Sequence, residues 1–194
     1  MLTIGIDEVG RGALAGPVVV GAVLVPDSFV MPLLLPRPLR DSKQHTRADH
    51  ATVAAFVKAN LRYGVGEASV WELHEMGLSE ALRLAADRSL EQLLEPGTKV
   101  LADAGLFHNR EADFRTERFM KGDDTYLPIT LASHLAKHYR DALMRTLAAQ
   151  YPGYGWERNV GYGTKEHQKA ILELGKTALH RELFLRKLFE PTQV

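Results

Sequence analysis

Two adjacent carboxylates, Asp7 and Glu8, close an apolar run, and a glycine pair around an arginine, Gly10-Arg11-Gly12, follows at once. Neighbouring acids at a strand end can share a hard cation, and glycines let a backbone approach a ligand closely. Two more strand-like runs lead into acids: residues 99–104 contain Asp103, and residues 118–121 precede Asp123-Asp124. In α/β sheets, ligands gather beyond the carboxyl ends of strands. Acids converging there make an oxygen-rich site with no His or Cys, which suits Mg²⁺ or Mn²⁺ rather than Zn²⁺. Two such ions, held about 3.5–4 Å apart, can activate a water and stabilise the leaving oxygen of a phosphodiester. Singly, each acid also fits a turn or a helix cap. The opening stretch also fits a polar hairpin with a glycine turn. Repetition at strand ends is what favours the metal.

The elements that must position these acids follow from periodicity. Residues 2–7 and 17–25 read as strands, with Gly10, Gly12 and Gly16 marking a turn or bulge between them. A proline-rich connection spans 26–45. Residues 46–60 read as a helix with Val53, Phe56 and Val57 on one face, and 61–68 as a strand. Ser69 caps a short helix, and a second helix runs from Ser79 to Leu94 before Pro96-Gly97. Residues 108–117 carry no clear pattern. A long helix spans Ile129–Gln150, Thr164 caps another reaching about Leu174, and a last one covers about Arg181–Phe189. Strands alternating with helices predict an α/β fold. Residues 1–150 would form the main domain, with a helical C-terminal segment, 151–194, packed on it.

With 194 residues, 45% of them hydrophobic, the chain can bury a normal core. No run approaches the roughly 20 apolar residues of a membrane span, so no membrane partner is expected. No secretory signal is read. The absence of cysteine excludes disulfides and thiolate metal sites and fits a cytoplasmic protein. Net charge is zero, but residues 1–133 hold 14 basic and 18 acidic side chains, against 10 and 6 in residues 134–194. A basic C-terminal part suits an anionic ligand held against a metal site. His134 and His138, spaced i, i+4, lack the third ligand or glutamate of a zinc motif and are expected to be packing or surface residues.

Six segments in order make the chain resemble the type 2 ribonuclease H family, its bacterial ribonuclease HII branch in particular. They are GIDEVGRGALAGPVVVGAVLVP at the start, LRDSK at 39–43, ADAG at 102–105, KGDD at 121–124, LASHLAKHYRD at 131–141 and YPGYGWERNVGYGTKEH at 151–167. The resemblance runs from Ile4 to about Arg181. It implies a ribonuclease H-like fold, a central mixed sheet flanked by helices with a small helical C-terminal part. It implies a monomeric, Mg²⁺- or Mn²⁺-dependent endonuclease, with two ions when substrate is bound. The substrates implied are RNA–DNA hybrids and duplex DNA containing ribonucleotides. The cut is expected 5′ of a ribonucleotide, leaving 3′-hydroxyl and 5′-phosphate ends.

Carried over position by position, the resemblance makes Asp7, Glu8, Asp103 and Asp123 the catalytic metal ligands. Asp124 is discounted. Asp141 is a fifth candidate whose seat on a helix points to a supporting role. The Gly10-Arg11-Gly12 loop resembles the element that recognises a ribose 2′-hydroxyl through backbone groups; that hydroxyl is what separates RNA from DNA at one nucleotide. Tyr162 resembles the tyrosine that stacks on the sugar of the following deoxynucleotide. Arg40, Lys43, Lys165 and Lys169 are candidate phosphate contacts, with Lys137 and Arg140 as weaker ones; such contacts position a duplex without reading it. Departures from the family pattern are Gln44-His45 after DSK, the run Ile129–His134, and the run Glu72–Leu78. None removes a proposed ligand. The rival functions are a noncatalytic hybrid-binding module and a nuclease for plain DNA.

Overall fold

The computed structural model describes residues 1–35, 39, 45–93, 97–110 and 113–189. Its centre is a five-stranded mixed sheet with strand order β3-β2-β1-β4-β5. The strands are β1 (Leu2–Val9), β2 (Val18–Pro26), β3 (Arg62–Ala68), β4 (Lys99–Asp103) and β5 (Arg115–Phe119). β1, β2 and β3 pair antiparallel, whereas β4 joins β1, and β5 joins β4, in parallel. The first two strands can be antiparallel because a short turn joins them, whereas the parallel partner β4 needs the long crossover that the intervening helices supply.

Helices cover both faces, which is why β2 reads as an almost unbroken apolar run. On one face Ile4, Ile6, Val18, Val20, Ala22 and Leu24 pack against Leu73, Leu82, Ala85, Ala86 and Leu90 of α2 (Val70–Glu91). On the other, Val23 and Val25 meet α1 (Arg47–Asn60) and α4 (Leu127–Gln150) through Val53, Val57, Leu131, Ala132 and Leu135. Thr46 and Ser69 cap α1 and α2, each with an acid three residues on completing a capping box. The remaining helices are α3 (Gly122–Thr125), α5 (Trp156–Asn159), α6 (Lys165–Leu174) and α7 (Glu182–Phe189). A third core joins Trp156, Val160, Ile171 and Leu185 to Ala15 and Met144, so the C-terminal segment sits on the end of α4 and on the turn after β1.

Three expectations are corrected and one is borne out. The fifth strand lies three residues earlier than periodicity suggested, at Arg115–Phe119. Its paired residues alternate little in burial, so no apolar pattern marks it. Asp123 therefore does not sit at a strand end but in the first turn of α3. The two helices expected around Ser69 and Ser79 are both present, because α2 is interrupted at Gly77, whose φ 80° and ψ 165° are not helical. The short helices α3 and α5 have no counterpart in the pattern reading, since a single turn is too short to show a period.

α4 lies close against the middle of the sheet because Gly5 and Gly21 carry no side chain. A Cβ on Gly5 would collide with the backbone of Pro128 and Ile129, and one on Gly21 would press on the Ala132 carbonyl. Gly5→Ala is therefore expected to lower unfolding free energy by about 1–3 kcal/mol, the range for overpacking. Urea denaturation measures it; a loss below about 0.5 kcal/mol would mean that α4 yields freely.

Candidate active site

β1 delivers Asp7 and Glu8 side by side, and period-two geometry sends them to opposite faces. Asp7 turns toward α4, where it is hydrogen-bonded to the Ser133 side chain, and it accepts the Glu8 N–H at 2.9 Å. Glu8 meets Arg11, whose guanidinium stands 3.4 Å from its Oε1. The parallel neighbour β4 ends alongside at Asp103, which accepts the N–H of Gly122 at 3.2 Å. Carboxylate oxygens of Asp7, Glu8 and Asp103 all lie within 4.8 Å of one another. Asp123 lines the same cavity, of about 440 Å³, and its carbonyl accepts the Thr130 hydroxyl at 2.6 Å, which ties α3 to α4.

The electrostatics are those of a site short of positive charge. Burial, then the charge of Glu8, holds the Asp7 carboxyl well above the usual carboxylate range, with Asp123 and Asp103 adding to it. Burial and Asp103 raise Glu8 as well, against the pull of Arg11. Glu8 Oε2 is buried with no hydrogen-bond partner among the described residues. An orphaned, buried oxygen on a carboxylate that clusters with two others fits a divalent cation bound through oxygen, and a cluster of carboxylates alone fits Mg²⁺ or Mn²⁺. Asp7, Glu8 and Asp103 would hold it, with Asp123 beside them.

The same cavity is walled by Gly10, Arg11, Gly12 and Tyr162. Gly10 sits at φ 85°, and a side chain there would run into the Arg140 guanidinium. The loop's carbonyls point inward. Arg181, fully buried, donates to the carbonyls of Gly10 (2.6 Å), Arg11 (3.1 Å), Gly16 (2.8 Å) and Pro17 (2.9 Å). Arg140, also fully buried, donates to those of Pro17 (2.9 Å), Ala15 (2.9 Å) and Val160 (2.8 Å). Neither the N–H of Arg11 nor that of Gly12 is used among the described residues. Tyr162 is half-buried, and its hydroxyl accepts the Gly10 N–H at 3.2 Å.

The structure brings together Asp7, Glu8, Asp103, Asp123, Gly10, Arg11, Gly12 and Tyr162. Lys165 and Lys169 lie exposed on α6, outside the cavity lining, with Lys169 3.6 Å from Glu173. Arg40 and Lys43 lie outside the described residues. Arg140 is corrected: a fully buried guanidinium spent on three carbonyls is no phosphate contact. Lys137 does line the cavity, paired with buried Asp141 at 2.9 Å and 5.7 Å from the Tyr162 ring centre. This gives Asp141 its place behind Lys137. Asp124 faces a neighbouring cavity with Leu127 and Thr130. His134 is a packing residue, its Nδ1 3.0 Å from that of His50. Sequence reading missed Ser133, Lys121 and Arg181. Ser133 sits inside a matched segment. Lys121 shows itself only by a left-handed backbone, φ 53°. For Arg181 no local signal exists, because its partners are some 165 residues away.

Comparison with known proteins gives the family of the chain. The family described as Ribonuclease HII matches residues 4–190. The chain is 42% identical over 185 residues to the ribonuclease HII of Synechococcus sp. (strain CC9902), covering 95% of this chain and 92% of that one. It is 44% identical over 184 residues to that of Rhodospirillum rubrum, covering 93% and 82%. Among solved structures it is similar to the RNase HII of the PCNA:RNase HII complex from Archaeoglobus fulgidus, with TM-score 0.78, 20% identity and 98% of each chain covered. It is also similar to Bst-RNase HIII in complex with Mn²⁺, with TM-score 0.69 and 20% identity over 97% of this chain and 69% of that one. These structural likenesses carry the ribonuclease H-like fold, and the match over nearly the whole sequence carries more: the chain belongs to the ribonuclease HII family.

Proposed function

We propose that the chain hydrolyses the RNA strand of RNA–DNA hybrids and cuts duplex DNA on the 5′ side of an embedded ribonucleotide, leaving 3′-hydroxyl and 5′-phosphate ends. Family membership makes it a metal-dependent type 2 endoribonuclease. The observation that supports the finer reading is the shared wall. The carboxylates Asp7, Glu8 and Asp103 and the loop Gly10-Arg11-Gly12 line one cavity with Tyr162. A noncatalytic role is not favoured, since every acid of the motif set is present.

Divalent ions held by Asp7, Glu8, Asp103 and Asp123, two of them once substrate is bound, would supply charge to polarise the scissile phosphate and make water nucleophilic. Ser133 orients Asp7, and Gly122 orients Asp103. The unused N–H groups of Arg11 and Gly12 meet the 2′-hydroxyl oxygen of the ribose. Tyr162 lies against the next sugar, where a second hydroxyl would crowd its ring. Lys137, neutralised by Asp141, is close enough to the ring to meet the phosphate between the two sugars. Lys165, Lys169, Arg40 and Lys43 would follow the duplex backbone farther out, and the segment 151–194 would serve as the substrate-binding part of a monomer acting in the cytoplasm.

The test is a DNA duplex containing one ribonucleotide, with either Mg²⁺ or Mn²⁺. The expected products end in 3′-hydroxyl and 5′-phosphate, and EDTA abolishes them. Equal cutting of the all-DNA duplex would remove the role of the glycine loop.

A further inference from the structure

Behind Tyr162 lies a buried chain of polar groups that the metal site does not use. Trp156 Nε1–H, which can only donate, points at His167 Nε2 at 2.9 Å. The N–H of Thr177 points at His180 Nδ1, also at 2.9 Å, so that nitrogen is an acceptor and His180 carries its proton on Nε2. That proton faces His167 Nε2 at 3.2 Å. His167 Nε2 therefore carries no proton, and its single lone pair is shared by the two donors, Trp156 the nearer. The proton must be on Nδ1, which stands 2.9 Å from the carbonyl of Tyr162. Every donor in the chain has an acceptor, and one tautomer satisfies all of it. Burial pushes His180 down to about 4 and His167 down as well, so both rings are neutral.

The turn that carries Tyr162 needs such a tether. Val160 is held at φ 45°, a strained position for a β-branched residue, and Gly161 follows at φ 86°. Tyr162 is then fixed at two ends: its carbonyl by His167, its hydroxyl by the Gly10 N–H.

We infer that His167 is a positioning residue for sugar discrimination: its Nδ1–H sets the peptide of Tyr162 and so the plane of the ring, while Trp156 and His180 lock the tautomer that allows this. The inference rests on the reading of Tyr162 as the ring against the deoxyribose. It gives His167 a task that packing alone would not require.

Two substitutions of similar size separate the tasks. His167→Asn places an amide N–H near the former Nδ1 and keeps the bond to Tyr162. His167→Gln places its amide near the former Nε2, keeping the Trp156 partner but losing Tyr162. The readout is the rate on a duplex with one ribonucleotide divided by the rate within an RNA tract, measured below the melting transition of each variant. The ratio is expected to fall about fivefold to tenfold in His167→Gln, the scale of one lost hydrogen bond, and to stay within about twofold of the parent in His167→Asn. His167→Phe, which fills the space without either bond, should match Gln and replaces it if Gln does not fold. A ratio that stays at the parental value in Gln or Phe, or falls equally in Asn and Gln, overturns the inference. Tyr162→Ala is the reference: if it leaves the ratio unchanged, the reading of Tyr162 has failed, whereas if it lowers the ratio and the His167 variants do not, only the inference has failed.

Discussion

Asp7→Asn loses cleavage by on the order of 10³-fold or more, the equivalent of several kcal/mol of charge stabilisation supplied through a metal. The same substitution makes the metal-free protein more stable. Asp7 is buried beside Glu8, with Asp103 and Asp123 near, and its carboxyl is held well above the usual range. Below the ordinary carboxylate pKa both folded and unfolded chains keep the proton, and the site costs nothing. As pH rises through the ordinary value the unfolded chain ionises first, so stability falls until the raised folded value is passed, and above that the cost is fully present. Asparagine cannot ionise and escapes it. In EDTA the variant should melt a few degrees above the parent at neutral pH, since about 1 kcal/mol moves Tm by ~2–4 °C at this size, and the gap should close on acidification. Adding Mg²⁺ or Mn²⁺ should reverse the order, because the parent gains binding energy that the variant has lost. Thermal melts with and without metal read both effects. A variant that melts no higher than the parent in EDTA would show that the acids are not in electrostatic tension.

Arg181→Met is expected to cost about 3–5 kcal/mol, near the top of the range for single substitutions, because a buried charge leaves several carbonyls behind without donors. Burial and the nearby Arg140 push its guanidinium down to about 9, still well above neutral pH, so it is charged in the working protein. Four carbonyls from Gly10 to Pro17 solvate that charge in place of water. Arg181→Lys should recover only part of the loss, since an ammonium lacks the planar fork that reaches four carbonyls at once. Arg140 shares the Pro17 carbonyl with Arg181, so the double substitution should cost less than the two single losses added together. Urea unfolding with unchanged slope measures the losses. The carbonyl clamp is wrong if Arg181→Met costs under about 1 kcal/mol.

These two residues also mark what could be read in the chain itself. Asp7 was legible because the acids follow an apolar run and recur after a second one at Asp103; strand ends announce themselves by alternation and by glycine. Helices α1 and α4 were legible from period, and α2 and α6 also from their caps, Ser69 and Thr164. β5 was not, since a half-exposed edge strand of Arg, Thr and Glu carries no apolar stripe. Arg181 and His167 were invisible as functional parts for a different reason. Each bonds backbone carbonyls far away in the chain or across a turn, and a carbonyl has no residue type to recognise. Arg140 misled because arginine is usually a surface residue, and only the fold reveals three carbonyls waiting for it.

α4 brings these parts onto one rod. Ser133 touches Asp7, Lys137 stands by Tyr162, Arg140 holds Ala15 and Pro17 just beyond the glycine loop, and Met144 packs beneath the C-terminal segment. From first to last this is about 16 Å of helix at 1.5 Å per residue. A displacement of that helix moves the acid cluster and the proposed sugar check together. On the proposed function, speed and fidelity are therefore geared to one shaft, and a variant that improves one by shifting α4 would have to alter the other.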